Sequence, residues 1–402
     1  MSITPLQLTE RSARRSERNP LIFDPLLMIA ALGLLGCSLM VLRDMRGIPM
    51  FAGEMSRQAL YGGIGLVACI VISRFDYSRL REYRYGLYGL LIVINLVVYG
   101  MPAEGTNNGA GGAHRWIPFP FFQFQSSEFG KLLLILALSA IMVERSRKPQ
   151  SGWRTTIRML LLALLPAVIV IGQPDLGTGL VYVTIGVSVL FFGGIGWKQL
   201  TALATLALVG AVLALAVAPA VGVNVLHGYQ KQRLTTFVDP PKVCGVNDTT
   251  CYQLQQGLIA IGAGGKTGQG TAGASQIQGE FVPVANEDFI FASFSDFYGF
   301  AGGALVLALY ALLIWRALRI MTMAKNLFGT LIAGGVLAML MFQVFLNVGM
   351  TIGIMPVTGV PLPLMSYGGS SVIVTFLAVG LLQSVYIQAR LAAGSKNRVL
   401  LV

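Results

Sequence analysis

The chain has 402 residues, of which 55% are apolar and only 11% charged, and it carries a formal net charge of +12. Soluble domains are about one quarter charged, so a water-soluble protein is excluded and a membrane protein is indicated, in keeping with a mean hydropathy of +0.71. The basic excess needs no nucleic acid, because anionic lipid at the inner leaflet accounts for it.

Residues 1–24, with Arg11, Arg14, Arg15 and Arg18, read as a basic cytoplasmic tail before a first span at about 25–43. No small-residue cleavage site follows, so a retained first helix is expected. Further apolar runs lie at about 58–73, 85–101, 129–143, 156–172, 176–195, 199–220, 298–315, 326–349 and 370–389, ten in all. Each suits a crossing of roughly 30 Å of hydrocarbon. The expected fold is an all-α polytopic integral membrane protein, with a single ten-helix transmembrane domain over 25–390. A large extracytoplasmic loop at 221–297 separates helices 7 and 8, and a cytoplasmic tail occupies 391–402. An even number of spans puts both termini on one side. If that side is the cytoplasm, the inner segments hold twenty of the twenty-nine basic residues, although the outer loops are longer. The positive-inside rule requires that bias.

The first long outer segment, 101–128, passes from Gly/Asn-rich chain to the Pro-aromatic stretch "HRWIPFPFFQFQ", suited to the headgroup region. Glu128 and Lys131, three apart at the start of the fourth span, can pair on one helix face, either for function or as an interfacial cap pair. Asp175 in "GQPDLGTG" is placed to cap the sixth helix. In the 221–297 loop, Cys244 and Cys251 could close a small disulfide ring, whereas Cys37 and Cys69 inside spans read as packing residues. With only His114 and His227 in the chain, a His-rich metal site is not available. "YQKQRLTTFVDP" sets Lys231 and Arg233 beside aromatics, and Arg115 adds a third cation. Such cations suit a lipid-linked phosphate or ordinary headgroups. "AIGAGGKTGQG" is not a phosphate-binding P-loop, since Ala260 stands where the first glycine is needed and no strand precedes it; no nucleotide site is expected. "GIMPVTGVPLPLMSYGGSS" (353–371) cannot be a continuous helix. Irregular backbone at membrane depth is tolerated where it is buried or lines a wet cavity, so a cavity wall is favoured over a simple outer turn.

Glu287, Asp288 and Asp296 fall within "ANEDFIFASFSDFYGF" (285–300). If 287–297 is helical, Asp288 and Asp296 stand about 12 Å apart along its axis, too far to act on one bond as a close carboxylate pair. A single base fits better. Glu287 beside Asp288, with Phe289, Ile290 and Phe291 next to them, supplies the like charge and desolvation that make a carboxylate more basic. A solvated helix start is the competing reading.

Taken together, these segments resemble the SEDS family of polytopic peptidoglycan polymerases, which contains RodA, FtsW and SpoVE, over nearly the whole chain after residue 25. "RWIPFPFFQFQSSEFGK", "QPDLGTG", "YQKQRLTTFVDP", "YQLQQGLIAIGAGGKTGQG" and above all "NVGMTIGIMPVTGVPLPLMSYGGSS" carry the resemblance. The family's catalytic aspartate lies in a Pro-Glu-x-His-Thr-Asp-Phe-Ile-Phe motif, which aligns with residues 283–291 and gives Asp288 the catalytic role. Val284, Asn286 and Glu287 replace the family's Glu, His and Thr, while Ser126 replaces a proline and Pro120 a glycine. The resemblance implies inverting glycosyl transfer on lipid II, with undecaprenyl pyrophosphate as leaving group. It also implies substrate binding by Arg115, Trp116, Glu128, Lys131, Arg233, Lys266, Ser366 and Tyr367. A divalent cation, Mg or Mn, would assist departure, with ligands unassigned. Partners implied are the growing glycan strand, a class B penicillin-binding protein transpeptidase and other elongation-complex proteins in the bacterial cytoplasmic membrane. Met350 and the Val-Thr-Gly core look more like the elongation branch than the division branch. A lipid II transporter and a non-catalytic scaffold are the competing functions, and no internal repeat supports the transporter.

Overall fold

A computed structural model describes residues 23–100, 116–119, 122–146, 152–212, 233, 236–237, 249–282 and 284–399. Among the described residues, ten apolar helices overlap the expected spans: α1 (Pro25–Asp44), α2 (Glu54–Arg74), α3 (Arg84–Tyr99), α4 (Ser126–Ser146), α5 (Trp153–Gly172), α6 (Leu176–Phe192), α7 (Trp197–Val212), α9 (Ile290–Met323), α10 (Leu327–Thr351) and α11 (Gly369–Val399). Helix α8 (Thr249–Ala263) and two single-turn helices, Gly270–Gly273 and Ser275–Gln278, lie between α7 and α9. Among the described residues, seven helical segments are long and apolar enough to cross a membrane, and α3 and α6 contribute shorter apolar helices. The protein is a polytopic, multi-pass membrane protein of helical class.

One departure from an all-helical chain is a small antiparallel hairpin, β1 (Trp116–Phe119) with β2 (Phe122–Gln125), in register Trp116↔Gln125 and Phe119↔Phe122. Alternating aromatic and polar residues in "FQFQ" suit a pleated ribbon better than a helix start. Ser370 Oγ pins it to α11, accepting from the Gln125 amide at 3.0 Å and donating to the Gln123 carbonyl at 2.7 Å.

Helix α4 lies at the centre, 89% of its apolar window being buried, whereas only 28% of the window containing α2 is. Small residues bring the helices close, as is usual where lipid supplies no hydrophobic drive. Gly65 of α2 receives Phe376, and a Cβ there would stand 2.7 Å from that ring. Gly335 of α10 receives Ile135 of α4 in the same manner, at 2.9 Å.

Polar ties sort the helix termini into two ends. At one, Asp24 caps α1, its Oδ1 accepting from the Leu27 amide at 3.1 Å, and is buried against Arg316 Nε at 3.0 and 3.1 Å. Gln383 grips the Asp24 backbone from α11, accepting from its N–H at 2.8 Å and donating to its carbonyl at 3.0 Å. Arg84 pairs with Glu144 at 2.8 Å at this end too. The other end gathers the start of α2, the hairpin, α8 and the 353–371 segment.

Helix α9 begins at Ile290 rather than near 298, so "IFASFSDF" forms about two buried helical turns and not a wet rim; Asp296 is fully buried. The helix breaks at Gly299 (φ 64°, ψ −161°). The glycine-rich loop after α8 satisfies the backbone groups freed there: Phe300 and Ala301 amides donate to the Gly265 and Lys266 carbonyls at 2.9 and 3.1 Å, and the Gln269 amide donates to the Asp296 carbonyl at 3.0 Å. Only glycine permits such backbone contact; a Cβ at Gly264 would lie 1.9 Å from the Ser295 carbonyl oxygen. "GAGGKTGQG" is thus a splint for a broken helix.

Candidate active site

Asp288 is not in a helix. It belongs to a turn over 284–289 immediately before α9, entered through Val284 at φ 52°. The presumed helical spacing from Asp288 to Asp296 therefore does not apply. Asp296 lies buried on α9, while Asp288 is half-buried at the turn.

Four consecutive carbonyls fix this turn. Ser293 Oγ donates to Ala285 O at 2.8 Å, the Tyr367 amide to Asn286 O at 2.8 Å, Ser366 Oγ to Glu287 O at 2.6 Å, and Asn347 Nδ2 to Asp288 O at 2.9 Å. Ala285 and Phe289, both 1% exposed, anchor it in the apolar core. Buried carbonyls are costly unless paired, so the pairing determines one backbone conformation and aims the side chains of 287 and 288.

The donors come from α10 and from the chain between α10 and α11. Helix α10 ends at Thr351 and α11 starts at Gly369, and Val360, Leu362, Leu364 and Met365 between them are almost completely buried. This segment is inside the bundle, as a wall would be, and is no surface turn. Asn347 Nδ2 also donates to Val360 O at 2.8 Å, Tyr310 Oη to Pro363 O at 2.6 Å, and Ser38 Oγ to Met365 O at 2.6 Å.

Gly359 (φ +73°) marks the centre of the site. A Cβ there would stand 3.4 Å from Asp288 Oδ2 and 3.7 Å from Arg233 Nη1. The carboxylate and the guanidinium therefore border the same small space, kept open by the absent side chain. Glu287 is accessible to solvent yet surrounded by protein. That surrounding, then the charges of Asp288 and Glu54, push its carboxyl from 4.5 up to about 7.

The other expected site residues divide into groups. Ser366 and Tyr367 hold the Asp288 turn through Oγ and the main-chain amide. Glu128 and Lys131 form an ion pair at 2.6 Å, each 1% exposed, on the central helix α4. They connect to the site only through intermediaries: Ser127 Oγ donates to Asp175 Oδ2 at 3.4 Å, and Gly177, following Asp175, packs on Val360 and Thr358. Asp175 does cap α6, its Oδ1 accepting from Thr178 N at 3.1 Å. Lys266 is exposed on the splint loop, beside Ala301 on α9 rather than beside the Asp288 turn. Trp116 lies in β1. Arg115, Lys231, Cys244, His114 and His227 fall outside the described residues. Cys251 is disulfide-bonded, while Cys37 and Cys69 are free and buried.

Glu54 and Asn347 were not picked out by sequence. Glu54 reads as an ordinary acid at a helix start, and its carboxylate accepts Asn286 Nδ2 at 2.9 Å on both oxygens. Asn347 carries a signal that could have found it, an amide within the apolar run of α10, where polar groups are expensive and have partners. Among the described residues no group of three or more His, Cys, Asp or Glu side chains is placed to hold a metal.

The chain is similar to known proteins in sequence and in fold. Residues 20–391 match the family model FtsW/RodA/SpoVE, described as cell cycle protein. Peptidoglycan glycosyltransferase MrdB of Escherichia coli (strain K12) is 34% identical over 96% of this chain and 100% of its own length. Stage V sporulation protein E of Bacillus subtilis (strain 168) is 34% identical over 82% of this chain and 86% of its own. A solved peptidoglycan synthase complex, described for its structural coordination of polymerization and crosslinking, contains a chain with TM-score 0.74 and 28% identity, covering 91% of this chain and 98% of that one. The rod shape determining protein RodA of Thermus thermophilus gives TM-score 0.64 and 26% identity, over 91% and 97%. The chain belongs to the FtsW/RodA/SpoVE family of cell cycle proteins.

Proposed function

We propose that this protein is a peptidoglycan glycosyltransferase that polymerises lipid II into glycan strands during cell elongation, with Asp288 as general base. The observation that carries the reading is the juxtaposition of the Asp288 carboxylate and the Arg233 guanidinium across Gly359, on a turn whose successive carbonyls are all held. Relatives that bear the glycosyltransferase name along their whole length support it.

In this reading Asp288 takes the proton from the 4-hydroxyl of the acceptor GlcNAc as that oxygen attacks the anomeric carbon of the donor MurNAc. The β-1,4 bond forms with inversion while the bond to undecaprenyl pyrophosphate breaks. Arg233 faces the departing pyrophosphate and stabilises its charge, the kind of preorganised electrostatic help that dominates such reactions. The fixed backbone of the turn keeps the base in place without reorganisation. No step needs a protein-built metal site; a divalent ion would arrive with the pyrophosphate. Arg115, Trp116, Lys266 and the Glu128–Lys131 pair are proposed substrate-side residues. The protein sits in the bacterial cytoplasmic membrane with both termini in the cytoplasm. Its partner is a class B penicillin-binding protein, consistent with the complex it resembles.

Purified protein with that partner should convert labelled lipid II to polymer in detergent, and Asp288→Asn should not. Polymer of equal yield from Asp288→Asn would remove the base assignment. Lipid II translocation across vesicles without polymer would replace the enzyme by a transporter.

A further inference from the structure

The first turns of α2 touch both halves of the site. Glu54 accepts both short contacts of Asn286 Nδ2, at 2.9 Å each, and Asn286 is 6% exposed. Three residues along the helix, Arg57 hydrogen-bonds the Tyr367 phenol. Gln58, fully buried, donates through Nε2 to the Ser366 carbonyl at 3.0 Å and accepts at Oε1 from the Gly368 amide at 3.3 Å. One helix end thus grips the Asp288 turn and the segment that covers it.

The helix dipole favours an acid at position 54 but does not decide where its carboxylate points. The α2 N-cap is Gly53 at φ 86°, with no side-chain cap, and the Glu54 carboxylate goes instead to an amide far along the chain. Where the resemblance expects histidine, this chain has Asn286. Its amide donates without titrating, and Glu54 supplies the negative charge that makes the contact charge-assisted.

We propose that Glu54 is a positioning residue for glycosyl transfer: through Asn286 it locks the orientation of the turn that carries Asp288, two residues away. The inference rests on the reading of Asp288 as the base. The charged and titratable groups around the contact are Glu287 and Asp288 on the turn, Arg57 on α2, Arg233 beside Gly359 and Tyr367 on the covering segment.

The experiment compares lipid II polymerisation by the full-length protein with its partner for wild type, Asp288→Asn, Glu54→Gln, Glu54→Ala, Asn286→Asp and the double variant Glu54→Gln with Asn286→Asp. Because small misplacements of a catalytic group cost up to about a hundredfold, Glu54→Ala is expected to lower kcat by about 10–100-fold with KM for lipid II little changed. Glu54→Gln should lose less. It should also move the acid limb of the pH–rate profile to lower pH, since one negative charge near the 287–288 carboxylates is gone. In the double variant the donor and acceptor exchange sides, and kcat should recover above that of Asn286→Asp alone. Unchanged kcat and pH profile in both Glu54 variants, beside an active wild type and an inactive Asp288→Asn, would overturn the positioning role alone. A double variant no better than Asn286→Asp would do the same, even if Glu54→Ala fails to fold. Equal rates for wild type and Asp288→Asn would overturn the base assignment, and this inference with it.

Discussion

Two acidic regions of the molecule are built on opposite plans. In the centre of the bundle, Glu128 and Lys131 neutralise each other at 2.6 Å and are both closed off from water. At the end where α9 begins, Glu287 and Asp288 are neighbours of like charge on a turn that solvent reaches, with Glu54 adding a third acid. The first region is stable only as a pair, because a lone buried charge is costly. The second crowds like-charged carboxylates among protein groups while solvent still reaches the turn; partial desolvation, then the like charges, raise a carboxylate's affinity for a proton. Paired burial cancels charge, whereas crowded carboxylates within reach of solvent suit proton transfer.

Four substitutions can break or sharpen this contrast. Asp288→Asn has the largest expected effect, a loss of roughly 10³-fold or more in polymerisation if the base is essential, with thermal unfolding unchanged. Lys131→Ala should do the reverse first, destabilising the fold by ~3–5 kcal/mol as the Glu128 charge is left alone; unfolding in detergent measures it. Gly359→Ala falls between, since its backbone is at φ +73° and the new methyl would enter beside Asp288 Oδ2. About 1–2 kcal/mol of backbone strain is expected, and a drop in kcat should accompany it.

Glu287→Thr has the smallest expected effect and tests the crowding itself. The Glu287 carboxyl is raised in the folded protein from 4.5 to about 7. The folded state therefore holds a proton that the unfolded chain has released, so this group's contribution to stability is full below 4.5 and is lost as pH rises through about 7. The variant should lose less melting temperature than wild type across that window. Its polymerisation profile should extend to lower pH, because Asp288 no longer has an acid beside it. Identical melting curves against pH would show that Glu287 is not held up by its surroundings.

Hydrophobic runs set the helices, and those were legible because membrane spans are signalled by composition over many residues. The Asp175 cap and the Glu128–Lys131 pair were legible too, since both depend on spacing of three along one helix. The start of α9 was not, because its first turns contain Ser293, Ser295 and Asp296, polar residues that read as loop but are buried, the serine hydroxyls donating to nearby backbone carbonyls. Asp288 could be picked out from its motif, whereas its setting could not. Glu54, Asn347 and Ser366 meet the turn from segments 59 to 232 residues away in sequence, and such contacts leave no local pattern.

The splint at Gly299 has a practical consequence for anyone labelling this protein. Surface loops ordinarily accept inserted tags, because lengthening a connection costs little. Residues 264–269 are an exception despite their glycine content, since their carbonyls and amides complete the hydrogen bonding of α9 itself. A fluorophore or epitope inserted there would part the two halves of that helix, and the Asp288 turn at its head would lose its bearing on the rest of the bundle.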